Sequence, residues 1–223
     1  MVEDFSLVQR LDLIKKLCSG KRVLHLGCTN FPYTVAAIEN DMLLHFELER
    51  IATSLWGIDA DQEGIEILKA HGSKNIVLGN LENLEQLELD GKFDVIVAGE
   101  MIEHLNNPGL FLQGIKRFMD TDSVLVITTI NAFCGMRFFW YGIRGKRGKH
   151  EAVHPDHVAY YSYSTLKLLV ERNEMRVDNF LFYDIGSEHR PHNRWFLNTL
   201  NDICVKIAPQ WADGIIAICQ KVK

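Results

Sequence analysis

The sequence predicts an α/β protein built on a doubly wound, mainly parallel sheet. Three observations carry that prediction. Short apolar strand-like runs alternate with amphipathic helical stretches almost to the C-terminus. Such alternation implies crossover helices covering both faces of a parallel sheet. One run, "FDVIVAG" (93–99), is almost wholly apolar, as a strand buried on both faces must be. The length of 223 residues suits one large domain and is short for two, and 47% apolar residues with a mean hydropathy of −0.04 fit a soluble protein with a substantial core.

The elements follow in order. "FSLVQRLDLIKKL" carries apolar residues at helical spacing with Gly20 beyond as a stop, which predicts an N-terminal helix over about 4–18. "RVLHLG" is a short apolar strand, and "LLHFELERIATSL" a helix leading into the strand "LWGID". The helix "DQEGIEILKA" precedes the strand "NIVLGN"; then comes "FDVIVAG". A helix begins near Pro108, where proline's missing N–H costs nothing, and "SVLVITTIN" is the next strand. "SYSTLKLLVERN" is a helix with Ser164 as its expected cap. "MRVDNFLFYD" and "GIIAICQKV" close the sheet around a helical "RWFLNTLNDICVKI".

Composition narrows the function. A net charge of −5 gives no general case for nucleic-acid binding. No run of 18 apolar residues exists to span a membrane. "MVEDFSLVQR" lacks the apolar core of an export signal, so a cytoplasmic location is expected. Five scattered cysteines without a CxxC read as reduced thiols, with neither disulfide framework nor zinc site. Cys28 reads as a small loop residue and not a nucleophile, since no base lies near it in sequence.

The ligand-binding signal lies at strand ends. Ligands of doubly wound sheets sit beyond the C-terminal ends of the strands. Gly27, Asp59 (with Ala60), Asn80 (with Leu81), and Gly99 with Glu100 fall at four successive ends. Asp59 can accept both hydroxyls of a ribose. Asn80 can accept an adenine amino proton, and Leu81 offers a backbone N–H to a ring nitrogen. A dinucleotide needs GxGxxG to bring backbone against its pyrophosphate. Here Gly27 is followed by Cys28, Thr29 and Asn30, and the next glycine is Gly57. The pattern suits an adenosine without phosphates, such as S-adenosylmethionine.

"VLHLGC…GIDAD…VLGNLENL…FDVIVAGEMIEHLNNPGLFL…VLVITTINAF…HPDHVAYYSYSTLKLLVERNEMRV" resembles the class I S-adenosylmethionine-dependent methyltransferases, most of all small-molecule members of the ubiquinone-biosynthesis type. The likeness covers about residues 20–185. It implies a Rossmann-like seven-stranded sheet of order 3-2-1-4-5-7-6 with an antiparallel seventh strand. It also implies a cofactor site of His25, Gly27, Cys28, Thr29, Asp59, Ala60, Asn80, Leu81, Gly99 and Glu100. The family carries an acid that helps hold the methionine ammonium where this chain has His25, and GxG where it has Cys28-Thr29-Asn30.

Two further stretches bear on the acceptor. "EMIEHL" sets Glu100, Glu103 and His104 on one helical face, which puts His104 beside the methyl group or makes it a packed cap residue. "HEAVHPDHVAYYS" holds His150, His154, Asp156 and His157 at no standard zinc spacing, so no metal is expected. Histidine titrates near neutral pH, so His154 and His157 are the expected proton acceptors, with His104 next. The plainer alternative is a loop whose polar groups cap neighbouring elements. Residues 132–150 carry Arg137, Arg144, Lys146, Arg147 and Lys149 and no acid; the stretch is +5, so the rest of the chain, whose total is −5, carries −10. With its aromatics it reads as part of an inserted lid over about 132–160, meeting an anionic acceptor or making peripheral contact with a membrane surface. A helix with core aromatics and a solvated basic loop is the alternative. The expected function is methyl transfer to an oxygen or nitrogen nucleophile of a small-molecule, glycan or lipid-linked acceptor. The altered first motif leaves a second reading, a catalytically silent binding or scaffold protein of the same fold.

Overall fold

The computed structural model describes residues 7–144, 156–186, 190, 191 and 193–222. One sheet holds eight strands: β1 Leu7–Val8, β2 Arg22–Leu26, β3 Ser54–Asp59, β4 Ile76–Leu78, β5 Phe93–Gly99, β6 Met119–Ile130, β7 Met175–Tyr183 and β8 Gly214–Lys221. Their spatial order is β1-β7-β8-β6-β5-β2-β3-β4. β8 runs antiparallel to β6 and β7, and every other pair is parallel. With β1 set aside, the remaining seven strands have the expected order and the expected antiparallel last strand.

β1 is the addition. The helix expected from about residue 4 starts only at Arg10 (α1, Arg10–Cys18), because Leu7 and Val8 pair with Phe182 and Tyr183 on β7. A ladder on the exposed edge of β7 satisfies backbone groups that the first helical turn would leave open. The other helices are α2 Thr34–Glu39, α3 Leu44–Ile51, α4 Gln62–Ala70, α5 Pro108–Ile115, α6 Gly135–Arg144, α7 Tyr163–Arg172 and α8 Trp195–Ile207. The short α2 has no counterpart in the sequence reading. The cap of α7 is Ser162, two residues before the expected Ser164. Thr165 decides this: its hydroxyl accepts the Ser162 N–H at 2.8 Å, closing a reciprocal box that Ser164 cannot form from the first turn.

Alternation along the central strands builds two cores. Leu24, Leu26, Ile96 and Ala98 face α5 and α7, where Phe111, Leu112 and Leu166 are fully buried. Val23, Val95 and Val97 face the other way, against Ile14 and Cys18 of α1 and Leu48 of α3. All five cysteines are buried thiols. Among the described residues no helix is long and apolar enough to cross a membrane.

Residues 132–144 of the basic stretch are described. Arg137 of α6 is held by Asp213, with its Nη1 donating to the Asp213 carbonyl at 2.7 Å and its Nη2 2.8 Å from the carboxylate. That cation ties α6 to the entrance of β8. α6 also packs on α8, with Trp140 against Phe196 at 5.2 Å. Lys146, Arg147, Lys149, His150 and His154 lie outside the described residues.

Candidate active site

β2, β3, β4 and β5 end along one edge of the sheet, and a cleft of about 1200 Å³ opens there. Gly27 turns the chain off β2 at φ 68°, a conformation that favours glycine. All ten residues expected at the cofactor line this cleft: His25, Gly27, Cys28, Thr29, Asp59, Ala60, Asn80, Leu81, Gly99 and Glu100. His104, Asp156 and His157 line it too.

The loop after β2 has no second glycine, and the hydrogen bonds of Thr29 hold it in place. Asp59 Oδ2 accepts the Thr29 N–H at 2.9 Å and the Thr29 hydroxyl at 3.0 Å, while Oδ1 accepts the Asp61 N–H at 3.0 Å. Gly64 of α4 leaves room for this: a Cβ there would lie 2.7 Å from that of Thr29. A carboxylate offers about four lone-pair sites. Three are filled, so Asp59 presents one open acceptor, on Oδ1, where the sequence reading expected two oxygens for two hydroxyls. Asn80 is similarly engaged, its amide oxygen accepting the Glu82 N–H at 2.8 Å. Burial, then Asp59, pushes the Cys28 thiol up, which suits a packing residue.

Glu100 closes the floor from the far side in a left-handed conformation, φ 51°. Its Oε1 accepts the Tyr183 hydroxyl at 2.6 Å and the Thr128 hydroxyl at 3.2 Å. Burial, then the charge of Glu100, raises the Tyr183 phenol well above its ordinary value, so it stays a donor. Gly214 makes the space; any side chain there meets the Tyr183 ring.

The wall at α1 carries a residue the sequence reading missed. Arg10 lines the cleft, its guanidinium carbon 5.9 Å from the centroid of Tyr183 and its Nη1 3.9 Å from where a Cβ on Gly99 would stand. The legible sign was its spacing, four residues before the buried Ile14, which turns a cation toward the sheet. Beside it, the buried rings of His25 and His45 meet Nδ1 to Nδ1 at 3.2 Å. Burial, then His45 and Arg10, holds His25 well below the usual imidazole range, and burial lowers His45 to about 4. Both are neutral near pH 7.

At the cleft mouth, a single 3-10 turn, Ile102–His104, presents Glu103 and His104 toward His157. The rings of His104 and His157 meet edge to face, 4.7 Å between centroids. Glu103 is fully buried with Thr129 beside it, yet neither Glu103 oxygen nor the Thr129 hydroxyl makes a well-formed hydrogen bond among the described residues. Burial, then the charge of Glu100, pushes the Glu103 carboxyl up to about 8. Glu103, His104 and His157 each bring one ligand-type atom within 4.8 Å of the others, a set able to share a proton or a cation. The sequence reading gave no role to Glu103, because the burial that perturbs it is not visible in "EMIEHL".

This sheet order, with a cleft at the ends of β2 to β5 and no glycine-rich phosphate loop, defines the class I S-adenosylmethionine-dependent methyltransferase fold. A methyltransferase of that kind from Archaeoglobus fulgidus matches it with TM-score 0.56, at 20% identity, over 95% of this chain and 94% of that one. The magnesium protoporphyrin IX methyltransferase of Synechocystis PCC 6803, solved with bound SAH, matches with TM-score 0.57 at 12% identity over 95% and 82%. The chain belongs to the methyltransferase domain family, whose model matches residues 6–178. The mitochondrial ubiquinone biosynthesis O-methyltransferase of Schizosaccharomyces pombe is 25% identical over 199 residues, 86% of this chain and 62% of that protein. The ubiquinone biosynthesis O-methyltransferase of Bradyrhizobium diazoefficiens is 25% identical over 166 residues, 69% of this chain and 60% of that protein. The chain thus spans about three fifths of the length of these two relatives.

Proposed function

We propose that the protein transfers a methyl group from S-adenosylmethionine to a hydroxyl oxygen of a small-molecule acceptor. The observation that carries this reading is the cleft itself. It joins Gly27, Asp59, Asn80 and the Gly99–Glu100 pair at four strand ends, around a loop with no means of cradling phosphate. The donor set fits the cofactor. Asp59 keeps an acceptor for a ribose hydroxyl, and Leu81 borders the place for an adenine. Arg10 and His25 offer one cation and one acceptor to the carboxylate and ammonium of an amino acid. S-adenosylmethionine supplies an already activated methyl on a sulfonium, so the protein's main task is alignment of the nucleophile.

His157 and His104 stand where a proton leaving the acceptor hydroxyl can be taken up, with Glu103 behind them; His154 remains a further choice for that role. The named activity of the relatives favours oxygen over nitrogen. Exposed Phe138, Ile143 and Trp195 on α6 and α8 favour an apolar acceptor, or one held at an anionic membrane in the cytoplasm. Such a membrane contact would weaken with salt in a liposome flotation assay.

The test is calorimetry with S-adenosylhomocysteine and with NAD, followed by methyl transfer to a panel of phenols and alcohols. Binding of the first ligand alone, with turnover of a hydroxyl acceptor, is expected. Binding without turnover of any acceptor would favour the silent relative, and binding of NAD would overturn the reading.

A further inference from the structure

Two buried histidines, His25 and His45, meet beside the cofactor cleft. His25 is the fourth residue of β2, and His45 reaches it from α3 across β3. Gly57 lies beside His25 in the sheet register, and a Cβ at that position would come within 2.9 Å of His45 Cε1 and 2.8 Å of Cys28 Sγ. The missing side chain at 57 is what admits the His45 ring. The two rings stack at 16°, centroids 5.5 Å apart, with their Nδ1 atoms in hydrogen-bond contact at 3.2 Å.

A contact between two ring nitrogens requires that one carry a proton and the other be bare. The far side of His45 decides which. Its Nε2 lies 3.7 Å from a Glu49 carboxylate oxygen, and that negative charge favours the tautomer with the proton on Nε2. His45 Nδ1 is then the acceptor, and His25 Nδ1 must donate. The His25 ring lines the cleft, and among the described residues its hydrogen-bond partner is His45, through Nδ1. Nε2 of His25 is therefore bare and is the nitrogen left for a ligand.

We propose that His45 and Glu49 are positioning residues that act through His25, fixing its Nε2 as a permanent acceptor for the ammonium group of the bound cofactor. The proposal rests on the cofactor reading above. It gives the histidine at the place of the family's acid a defined duty: a neutral ring free to flip or change tautomer could present a donor instead. Burial disfavours a charge on the His25 ring, and Arg10 from α1 also opposes a proton on it, while Glu49 of α3 stands behind His45. A cationic His25, which would repel the ammonium, is thereby suppressed.

Two measurements test this. Imidazole nitrogen shifts in NMR spectra of the unaltered protein distinguish protonated from bare nitrogens. His25 should carry its proton on Nδ1 and His45 on Nε2; the reverse assignment overturns the proposal. The second is calorimetry with S-adenosylhomocysteine and with its analogue bearing hydrogen in place of the α-amino group. In the unaltered protein the amino group should strengthen binding by about tenfold, the scale of a hydrogen bond from a charged donor. In His45→Phe that advantage should vanish while the analogue binds as before. Glu49→Gln, at a partly exposed site, should erode the advantage in the same direction and serves if His45→Phe fails to fold. An equal loss for both ligands would make the pair mere structural support and overturn the proposal. An unaltered protein that binds neither ligand would refute the cofactor reading and the relay's role with it. Normal binding with inverted tautomers would refute the relay alone.

Discussion

Replacing Asp59 by alanine probes stability and ligand binding in one molecule. The carboxylate accepts from the Thr29 N–H at 2.9 Å, the Thr29 hydroxyl at 3.0 Å and the Asp61 N–H at 3.0 Å. Alanine leaves all three donors without that acceptor. Hydrogen bonds to a charged group contribute about 1.5–3 kcal/mol each. Asp61 is partly exposed, so water can replace its bond, whereas Thr29 is fully buried. The two Thr29 donors at the lower figure give a loss of ~3 kcal/mol. With a urea slope of about 2–3 kcal/mol per molar, the unfolding midpoint should fall by about 1 M. S-adenosylhomocysteine at a hundred times its dissociation constant should add about 2.7 kcal/mol to the unaltered protein. The variant, lacking the open Oδ1, should gain less at the same ligand concentration. Thr29→Val removes the hydroxyl donor and keeps the N–H, so its midpoint should fall about half as far. A midpoint for Asp59→Ala equal to that of the unaltered protein would refute the role of this network, and an equal ligand-induced gain would refute the ribose assignment.

Three other perturbations have signs the structure determines. The folded protein retains the Glu103 proton up to about pH 8, where the unfolded chain has already lost it, so stability should fall as pH rises from the ordinary carboxyl range toward 8. Glu103→Gln should flatten that fall in urea titrations across the window; an unchanged slope would place the responsible group elsewhere. Arg137→Met removes the cation paired with Asp213 and should cost about 3 kcal/mol, with part of it recovered by adding Asp213→Asn; thermal unfolding that is insensitive to both changes would contradict the pairing. Gly57→Ala drives a methyl toward the Cys28 sulfur and the His45 ring and should cost about 1–3 kcal/mol, readable as a lower denaturation midpoint. A variant as stable as the parent would mean that the ring has room to move aside.

The seven strands β2 to β8 were legible because each carries an apolar run bounded by a break, clearest in β5, where burial on both faces leaves little else such a run can be. Leu7 and Val8 were not, since a two-residue strand carries no periodicity and exists only because β7 offers an edge. Ser162 outcompeted Ser164 through a partner three residues on, a choice made by local hydrogen bonds that spacing alone did not reveal. At the site, strand-end positions showed which residues would meet. What each side chain already holds was hidden: Thr29 on Asp59, Tyr183 on Glu100, His45 on His25. Those partners lie between 20 and 83 residues away in sequence. Arg10 and Glu103 were missed for a related reason, because their significance depends on burial and on neighbours supplied by other elements.

β8, residues 214–221, is the latest of the eight strands and sits between β6 and β7. A ribosome makes it after everything it joins. Until it arrives, β7 has no seat in the sheet and β1 has no β7 to lie against. The Tyr183 hydroxyl then cannot reach Glu100, and the segment that places Arg10 at the cleft is not anchored. Long-range pairing of this kind forms late in folding, after the local βαβ units. During synthesis the chain can thus assemble β2 through β6 with the strand ends already in place, while the finished binding wall waits for the final strand. A nascent chain stalled ahead of residue 214 would present a half-built cleft.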